Sequence, residues 1–166
     1  MDIIEMDKQR YADEGKMPLF QLFFRIAQRG GLFGKMNKIL FIIARRERKI
    51  DLSIETEIGG GCFFGHASCI TINSHAIIGK NVNIGKGVTI GRENRGNRKG
   101  CPVIEDEVWI GVNSTIVGAI HIGNDVLIAP NSFVNCDIPD HSVVFGNPCI
   151  IKHRDNATEG YINNKV

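Results

Sequence analysis

A six-residue period running through the middle and the end of the chain constrains the fold more than any other feature. It reads Ile54-Glu-Thr-Glu-Ile58-Gly, then Gly60-Gly-Cys-Phe-Phe64-Gly, then His66-Ala-Ser-Cys-Ile70-Thr. Further hexads start at Ile72, Ile78, Ile84 and Ile90 and, after an irregular stretch, at Ile104, Ile110, Ile116, Ile122, Ile128 and Val134. Nearly every hexad begins with an aliphatic residue, has a small or β-branched one in fifth place, and often has glycine in second. A repeat of this kind outranks local propensity as a guide to the fold. Six residues are too few for a hairpin and enough for one short strand and a turn. Glycine after the aliphatic residue suits a turn where a side chain would clash or φ must be positive. The aliphatic residues then stack coil over coil at about 4.8 Å, the spacing of neighbouring strands. One hexad buries too little apolar surface to stand alone, whereas many in series share a continuous core. The expected fold is mainly β, a parallel β-helix of hexapeptide repeats over residues 50–149.

Two places break the pattern. His66 falls where the hexads ask for an aliphatic residue, and such local violations are where function is sought. Residues 91–103, Gly-Arg-Glu-Asn-Arg-Gly-Asn-Arg-Lys-Gly-Cys-Pro-Val, form a basic, glycine-rich excursion from a regular core, and loops of that sort tend to carry function.

Residues 1–49 read as a short helical segment. Residues 1–16 are polar, with a short or frayed helix or little order expected. Pro18 suits a helix start. Leu19, Leu22, Phe23 and Ile26 give the next helix an apolar face, Arg25, Gln28 and Arg29 lie opposite, and Gly30-Gly31 ends it. A second helix is expected from about Lys35 to Arg48, packing through Met36, Ile39, Leu40 and Ile43. Its last turn carries Arg45, Arg46 and Arg48, which complement the helix dipole. Residues 150–166 form a polar tail.

Composition sets limits. Only 7% of residues are aromatic, so the core is aliphatic, and the net charge of +2 is small. The two basic clusters, one near residues 45–49 and one at 92–99, lack interleaved aromatics, so no nucleic-acid partner is expected. Five cysteines without a CxxC pair read as free thiols in a reducing compartment. The start of the chain has no signal-peptide pattern, and Ile39–Ala44 is far short of the roughly 20 apolar residues that span a bilayer. A cytoplasmic protein is expected, with peripheral membrane contact open to the basic helix.

The hexads, the coil Val108-Trp109-Ile110-Gly111 and the ending Ile138-Pro139-Asp140 to Gly146-Asn147-Pro148 resemble the left-handed β-helix acyltransferases. The resemblance covers residues 50–154. It implies a left-handed helix, acetyl-CoA as co-substrate, no metal, and homotrimers with active sites between subunits. Within that superfamily the segment His66-Ala67-Ser68-Cys69-Ile70 is similar to the catalytic-histidine segment of serine acetyltransferases, and Thr89-Ile90-Gly91 matches as well. It implies His66 as general base, suited to taking a hydroxyl proton near neutral pH, with Asp51 as its carboxylate partner fixing the tautomer. A coil in this family is about 18 residues, so Asp51 does not stack directly on His66. Gly111, Val112, Ala129 and Pro130 match positions along the pantetheine arm of CoA, and Lys152 and Arg154 match basic residues that meet its phosphates. Sugar acetyltransferases of the galactoside and maltose type keep their catalytic histidine in the mid-chain loop, which here holds none.

Departures from the serine acetyltransferases concern the acceptor. Gly65 stands where they have aspartate, and Gly100-Cys101 stands where they have Arg-His, leaving a zwitterion without charged partners. Gly65, Cys101 and Arg92 are therefore the candidate acceptor-site residues. The expected acceptor is a sugar hydroxyl, as in a surface-polysaccharide precursor, with serine O-acetylation as the alternative. A γ-type carbonic anhydrase needs three converging histidines, and His66, His75 and His121 lack that spacing. A non-catalytic β-helix scaffold is the remaining alternative.

Overall fold

Strand register follows the repeat. The computed structural model describes residues 1–13 and 15–166. Among them are three helices, α1 (Ile3–Gln9), α2 (Leu19–Gln28) and α3 (Gly31–Glu47). Fifteen short strands follow: β1 (Asp51–Leu52), β2 (Glu57–Ile58), β3 (Phe63–Gly65), β4 (Thr71–Ile72), β5 (Ile77–Ile78), β6 (Asn83–Gly85), β7 (Thr89–Gly91), β8 (Val103–Ile104), β9 (Val108–Ile110), β10 (Thr115–Val117), β11 (His121–Ile122), β12 (Val126–Ile128), β13 (Phe133–Val134), β14 (Ser142–Phe145) and β15 (Ile150–His153). Every third strand stacks on its predecessor, giving three sheets: β1-β4-β7-β10-β13, β2-β5-β8-β11, and β3-β6-β9-β12-β14-β15. All pairings are parallel except β14 with β15. The molecule is a three-faced solenoid.

Each face contributes one column of stacked side chains to the core. Leu52, Ile72, Ile90, Ile116 and Val134 form the first, Ile58, Ile78, Ile104 and Ile122 the second, and Phe64, Ile84, Ile110, Ile128 and Val144 the third. Burying such a side chain is worth about 1.5–3 kcal/mol, and each column position must stay in register to keep it. The second-place glycines answer to steric clash. A Cβ on Gly111 would lie 2.5 Å from the Pro130 nitrogen, on the coil above. The left-handed φ values fall instead at corner residues such as Asn81, Asn113 and Asn131, where asparagine tolerates them.

In the first coil the phase differs from the sequence reading. Its core residues are Leu52, Ile58 and Phe64, while Ile54 is half-buried and His66 exposed. The two phases are reconciled at one corner. Residues 66–70 connect β3 to β4, where 86–88 connect β6 to β7 and 112–114 lead into β10. His66 therefore does not replace a core aliphatic residue; Phe64 holds that place, opposite Ile84. His66 opens a corner lengthened by two residues.

The helices cap the open end of this first coil, and this explains two further differences. A terminal coil has edge groups with no neighbouring coil to bond them, and unpaired buried backbone groups are costly. Arg25 donates to the carbonyls of Ile58 and Gly59, each at 2.7 Å. Gln21 donates to the Cys62 carbonyl at 2.8 Å, and Gln28 to those of Ile54 and Thr56 at 3.1 Å. Arg25 also pairs with Asp7 at 2.7 Å, both fully buried. The polar side expected to face solvent thus faces the coil, while Leu19 is exposed and Phe20 and Phe24 are buried. Gly31 opens α3, earlier than expected, and Gly34 and Phe41 are its buried residues. Met36, Ile39, Leu40 and Ile43, expected to pack, are exposed.

Residues 1–13 are anchored by α1. Tyr11 donates to Gln21 at 2.7 Å and accepts from the Phe64 amide at 2.8 Å, and burial pushes its phenol far up. Beyond β15 the tail runs back across the third sheet. Asp125 accepts from the amides of Ala157 and Thr158, the Thr158 hydroxyl and the His141 ring. Asn83 donates to the Tyr161 carbonyl at 3.1 Å, and Asn81 and Val166 exchange two hydrogen bonds at 2.9 Å.

Candidate active site

The long corner after β3 sits at one end of a cleft of about 400 Å³ on the outer face of the third sheet. Phe63 and Gly65 of β3, Asn83 of β6 and Trp109 of β9 supply its floor. Tyr11 and Lys16 enter from the N-terminal segment and Tyr161 from the tail. Tyr161 meets Trp109 edge-on, with ring centroids 5.0 Å apart, and Tyr11 lies 4.5 Å from Phe63. His66 and Val112 also line it.

His66 adopts a left-handed backbone with φ of 50°, as does Cys69 with φ of 55°. Such conformations persist where surrounding bonds fix them. Here the end of α3 does so. The Arg48 carbonyl accepts from the Cys69 amide at 2.9 Å, and its guanidinium donates to the Ala67 carbonyl at 3.3 Å. From the next coil, the Gly87 amide donates to the Ser68 carbonyl at 3.1 Å. The imidazole is exposed and, among the described residues, makes no side-chain hydrogen bond. A held backbone thus presents a free ring to the cleft.

The other sequence-predicted residues are distributed unevenly. Gly65 lines the cleft beside His66, and a Cβ there meets nothing nearer than Phe63 Cε1 at 3.6 Å. Asp51, on β1, is largely exposed; its Oδ1 lies 3.4 Å from Arg45 Nη1, and no hydrogen bond joins it to His66 within the chain. Arg92 and Cys101 lie outside the cleft. The Cys101 thiol donates to Asn73 Oδ1 at 3.3 Å, and burial pushes its pKa up. The excursion loop closes on itself through Glu93 and Gly100, which exchange two backbone bonds at 3.0 Å.

Val112 reaches the cleft, but Gly111 is packed under Pro130. Ala129 uses its amide on Val144 and its carbonyl on the Ser114 and Ser132 hydroxyls. Lys152 and Arg154 are exposed, on β15 and just beyond it. Among the described residues no group of three or more His, Cys, Asp or Glu could hold a metal ion. Sequence reasoning missed Tyr11, Lys16, Asn83 and Tyr161. An aromatic residue standing alone in a polar stretch, as Tyr11 and Tyr161 do, was the available signal.

Comparison with known proteins gives this geometry a class. Residues 101–136 match the family "Bacterial transferase hexapeptide (six repeats)", and residues 75–92 match "Hexapeptide repeat of succinyl-transferase". The solved serine acetyltransferase of Neisseria gonorrhoeae superposes with a TM-score of 0.74 at 26% identity, covering 91% of this chain and 66% of that one. The soybean serine acetyltransferase apoenzyme superposes with a TM-score of 0.65 at 29% identity, covering 80% of this chain and 56% of that one. The chain has the left-handed β-helix fold and is similar to the hexapeptide-repeat acyltransferase class.

Within that class it is serine acetyltransferase-like. It is 37% identical to serine acetyltransferase 2 of Arabidopsis thaliana over 99 residues, 60% of this chain and 31% of that protein. It is 33% identical to the serine acetyltransferase of Staphylococcus aureus strain Mu50 over 118 residues, 71% of this chain and 55% of that protein. The chain therefore spans about a third to about a half of the length of these two relatives.

Proposed function

We propose that this chain catalyses O-acetyl transfer from acetyl-CoA to a small hydroxylic acceptor, with His66 as general base. The observation that carries the reading is the placement of His66, an unencumbered imidazole at the end of a ligand-sized cleft on a pinned corner. His66 takes the acceptor's hydroxyl proton as the oxygen attacks the thioester carbonyl, and returns it to sulfur as the carbon–sulfur bond breaks. Asp51 remains the proposed orienting carboxylate, which requires its side chain to turn from Arg45 towards the imidazole. Acetyl-CoA supplies the acetyl group as a thioester. Lys152 and Arg154 suit its phosphates, and the segment containing Gly111, Val112, Ala129 and Pro130 suits its pantetheine arm. The proposed homotrimer would bring a neighbouring copy's excursion loop, with Arg92 and Cys101, towards the cleft.

For the acceptor, serine is better supported than a sugar. The relatives are serine acetyltransferases, and one solved structure of the Neisseria enzyme, 28% identical, is in complex with serine. A sugar hydroxyl stays as a second reading on one observation. Among the described residues the cleft lining includes the cation Lys16 and no carboxylate, with Gly65 beside the base. The test is thiol release from acetyl-CoA with serine and with a panel of sugars. His66→Ala abolishes release with every acceptor while the fold persists, since the side chain is exposed. Undiminished turnover in that variant refutes the assignment of the base.

A further inference from the structure

The outward face of α3 is apolar. Leu32 and Phe33 are each 76% exposed, and Met36, Ile39, Leu40 and Ile43 lie between 43% and 62%. At about 100° per residue these six side chains fall within roughly a third of the helix circumference, opposite the buried Gly34 and Phe41. Contiguous apolar patches of this kind mark an interaction site. Lys35 and Arg46, both exposed, line one flank of the stripe, Lys38 lies further round the helix, and Glu47, in the last turn, is the helix's one acid. No helix among the described residues is long and apolar enough to cross a membrane.

We propose that α3 docks on an anionic lipid surface, lying in the plane of the interface with its apolar stripe among the acyl chains. Charge complementarity selects this occupant. Lipid phosphates supply the counter-charge that the flanking Lys35 and Arg46 lack within their own helix, whereas a second copy brings the same cations and a single acid. The stripe is also the crest of a helix rather than a groove, which suits insertion between headgroups. α2 covers the inner face of α3, and Arg45 and Arg48 tie its end to the Leu52 and Ala67 carbonyls. Docking therefore leaves the His66 corner undisturbed. The inference is independent of the catalytic assignment.

The test is flotation of the full chain with vesicles of phosphatidylcholine alone and of phosphatidylcholine mixed with phosphatidylglycerol. The expected result is binding to the anionic vesicles, weakened about tenfold between about 0.05 M and about 0.5 M salt. Leu32→Ser/Phe33→Ser and Lys35→Glu/Arg46→Glu each lower it by about tenfold or more. All four side chains are exposed, so circular dichroism and thiol release stay as in the parent chain. Absence of binding to anionic vesicles overturns the proposal, as does equal binding by the substituted chains. So does a fall in oligomer mass by light scattering in Leu32→Ser/Phe33→Ser without any vesicle binding by the parent chain, which assigns the face to a second copy.

Discussion

Replacing Arg25 with methionine tests whether the helices hold the open end of the solenoid through hydrogen bonds to its edge. Arg25 is 1% exposed and bonds four acceptors, the Asp7 carboxylate, the carbonyls of Ile58 and Gly59 and, at 3.4 Å, Gln28 Oε1. Methionine fills much of the same space but donates nothing. Asp7, fully buried, keeps one bond, from the Cys62 amide at 3.1 Å. Removing one partner of a buried ion pair costs about 3–5 kcal/mol. An orphaned buried carbonyl adds about 1–3 kcal/mol, with Gly59 at the low end because its bond is only part-buried. The expected loss is about 5–9 kcal/mol, comparable to the whole stability of many domains. Urea denaturation followed by circular dichroism measures it. The double variant Asp7→Asn/Arg25→Met removes both charges and should recover about 1–3 kcal/mol of the loss. A loss below about 1 kcal/mol in Arg25→Met, or no recovery in the double variant, refutes the reasoning.

Four further outcomes follow from the site and the tail. Gly65→Asp fits the space beside His66 and supplies the missing carboxylate. If serine is the acceptor, its KM falls by about tenfold or more, the scale of a charged hydrogen bond of about 1.5–3 kcal/mol; a steady-state assay with serine reads it. Arg48→Met releases the corner at Ala67, so kcat falls about tenfold through misplacement of His66, while the melting temperature moves little because the Cys69 amide still bonds the main chain. Tyr161→Ala removes the aromatic edge from Trp109 and raises the KM for acetyl-CoA or acceptor more than it lowers kcat, measured by varying each substrate. The tail clasp depends on pH with two limbs. Burial works against the charged Asp125, but His141, the Thr158 hydroxyl and the Thr158 and Ala157 amides outweigh it and hold the carboxyl at about 2. The hydrogen bond that the His141 ring donates to Asp125 raises the His141 pKa. The depressed carboxyl stabilises the fold above its ordinary value of about 3.9 and loses that effect as pH falls towards about 2. The raised imidazole stabilises fully below about 6.5 and loses that effect as pH rises through its folded value. Hydrogen exchange at the Ala157 and Thr158 amides is therefore slowest, after correction for intrinsic rates, between about pH 4 and 6.5; His141→Gln removes the alkaline limb and, by taking a charged partner from Asp125, moves the acid limb to higher pH.

The solenoid was legible because stacking makes the repeat obligatory. A column such as Ile84–Ile110–Ile128 survives only if each coil returns an aliphatic residue to the same place, so the physics writes itself into the sequence at a fixed period. The helical faces were legible only in part. Their pattern was read for apolar burial, but Gln21, Arg25 and Gln28 face inward because the first coil offers carbonyls that need donors. Nothing in a local window of α2 shows that demand, which arises in residues 54–62. The cleft walls were hidden for the same reason. Tyr11 and Tyr161 reach it from segments near opposite ends of the chain, placed by Asn83 and Phe64 of the third sheet.

His66 illustrates how a cleft residue can be found through an incorrect phase. The hexad count through residues 54, 60 and 66 makes it an intruder in the core, yet the column at that level is filled by Phe64. The error arose because the five-residue corner 66–70, set against three residues at 86–88, shifts the period by two, so a single phase cannot describe both sides of it. That shift is itself informative. A solenoid coil can lengthen at a corner without disturbing its columns, since corner residues lie outside the ladder, whereas an insertion within a strand would move every side chain beyond it to the opposite face. Added corner residues are thus free to adopt left-handed φ and to project side chains outward, as His66 does. The same reasoning explains why the largest excursion, residues 91–103, leaves Ile90 stacked below Ile116 and Ile78 below Ile104. In this fold the core fixes the repeat, and the departures from the repeat are where the proposed function is placed.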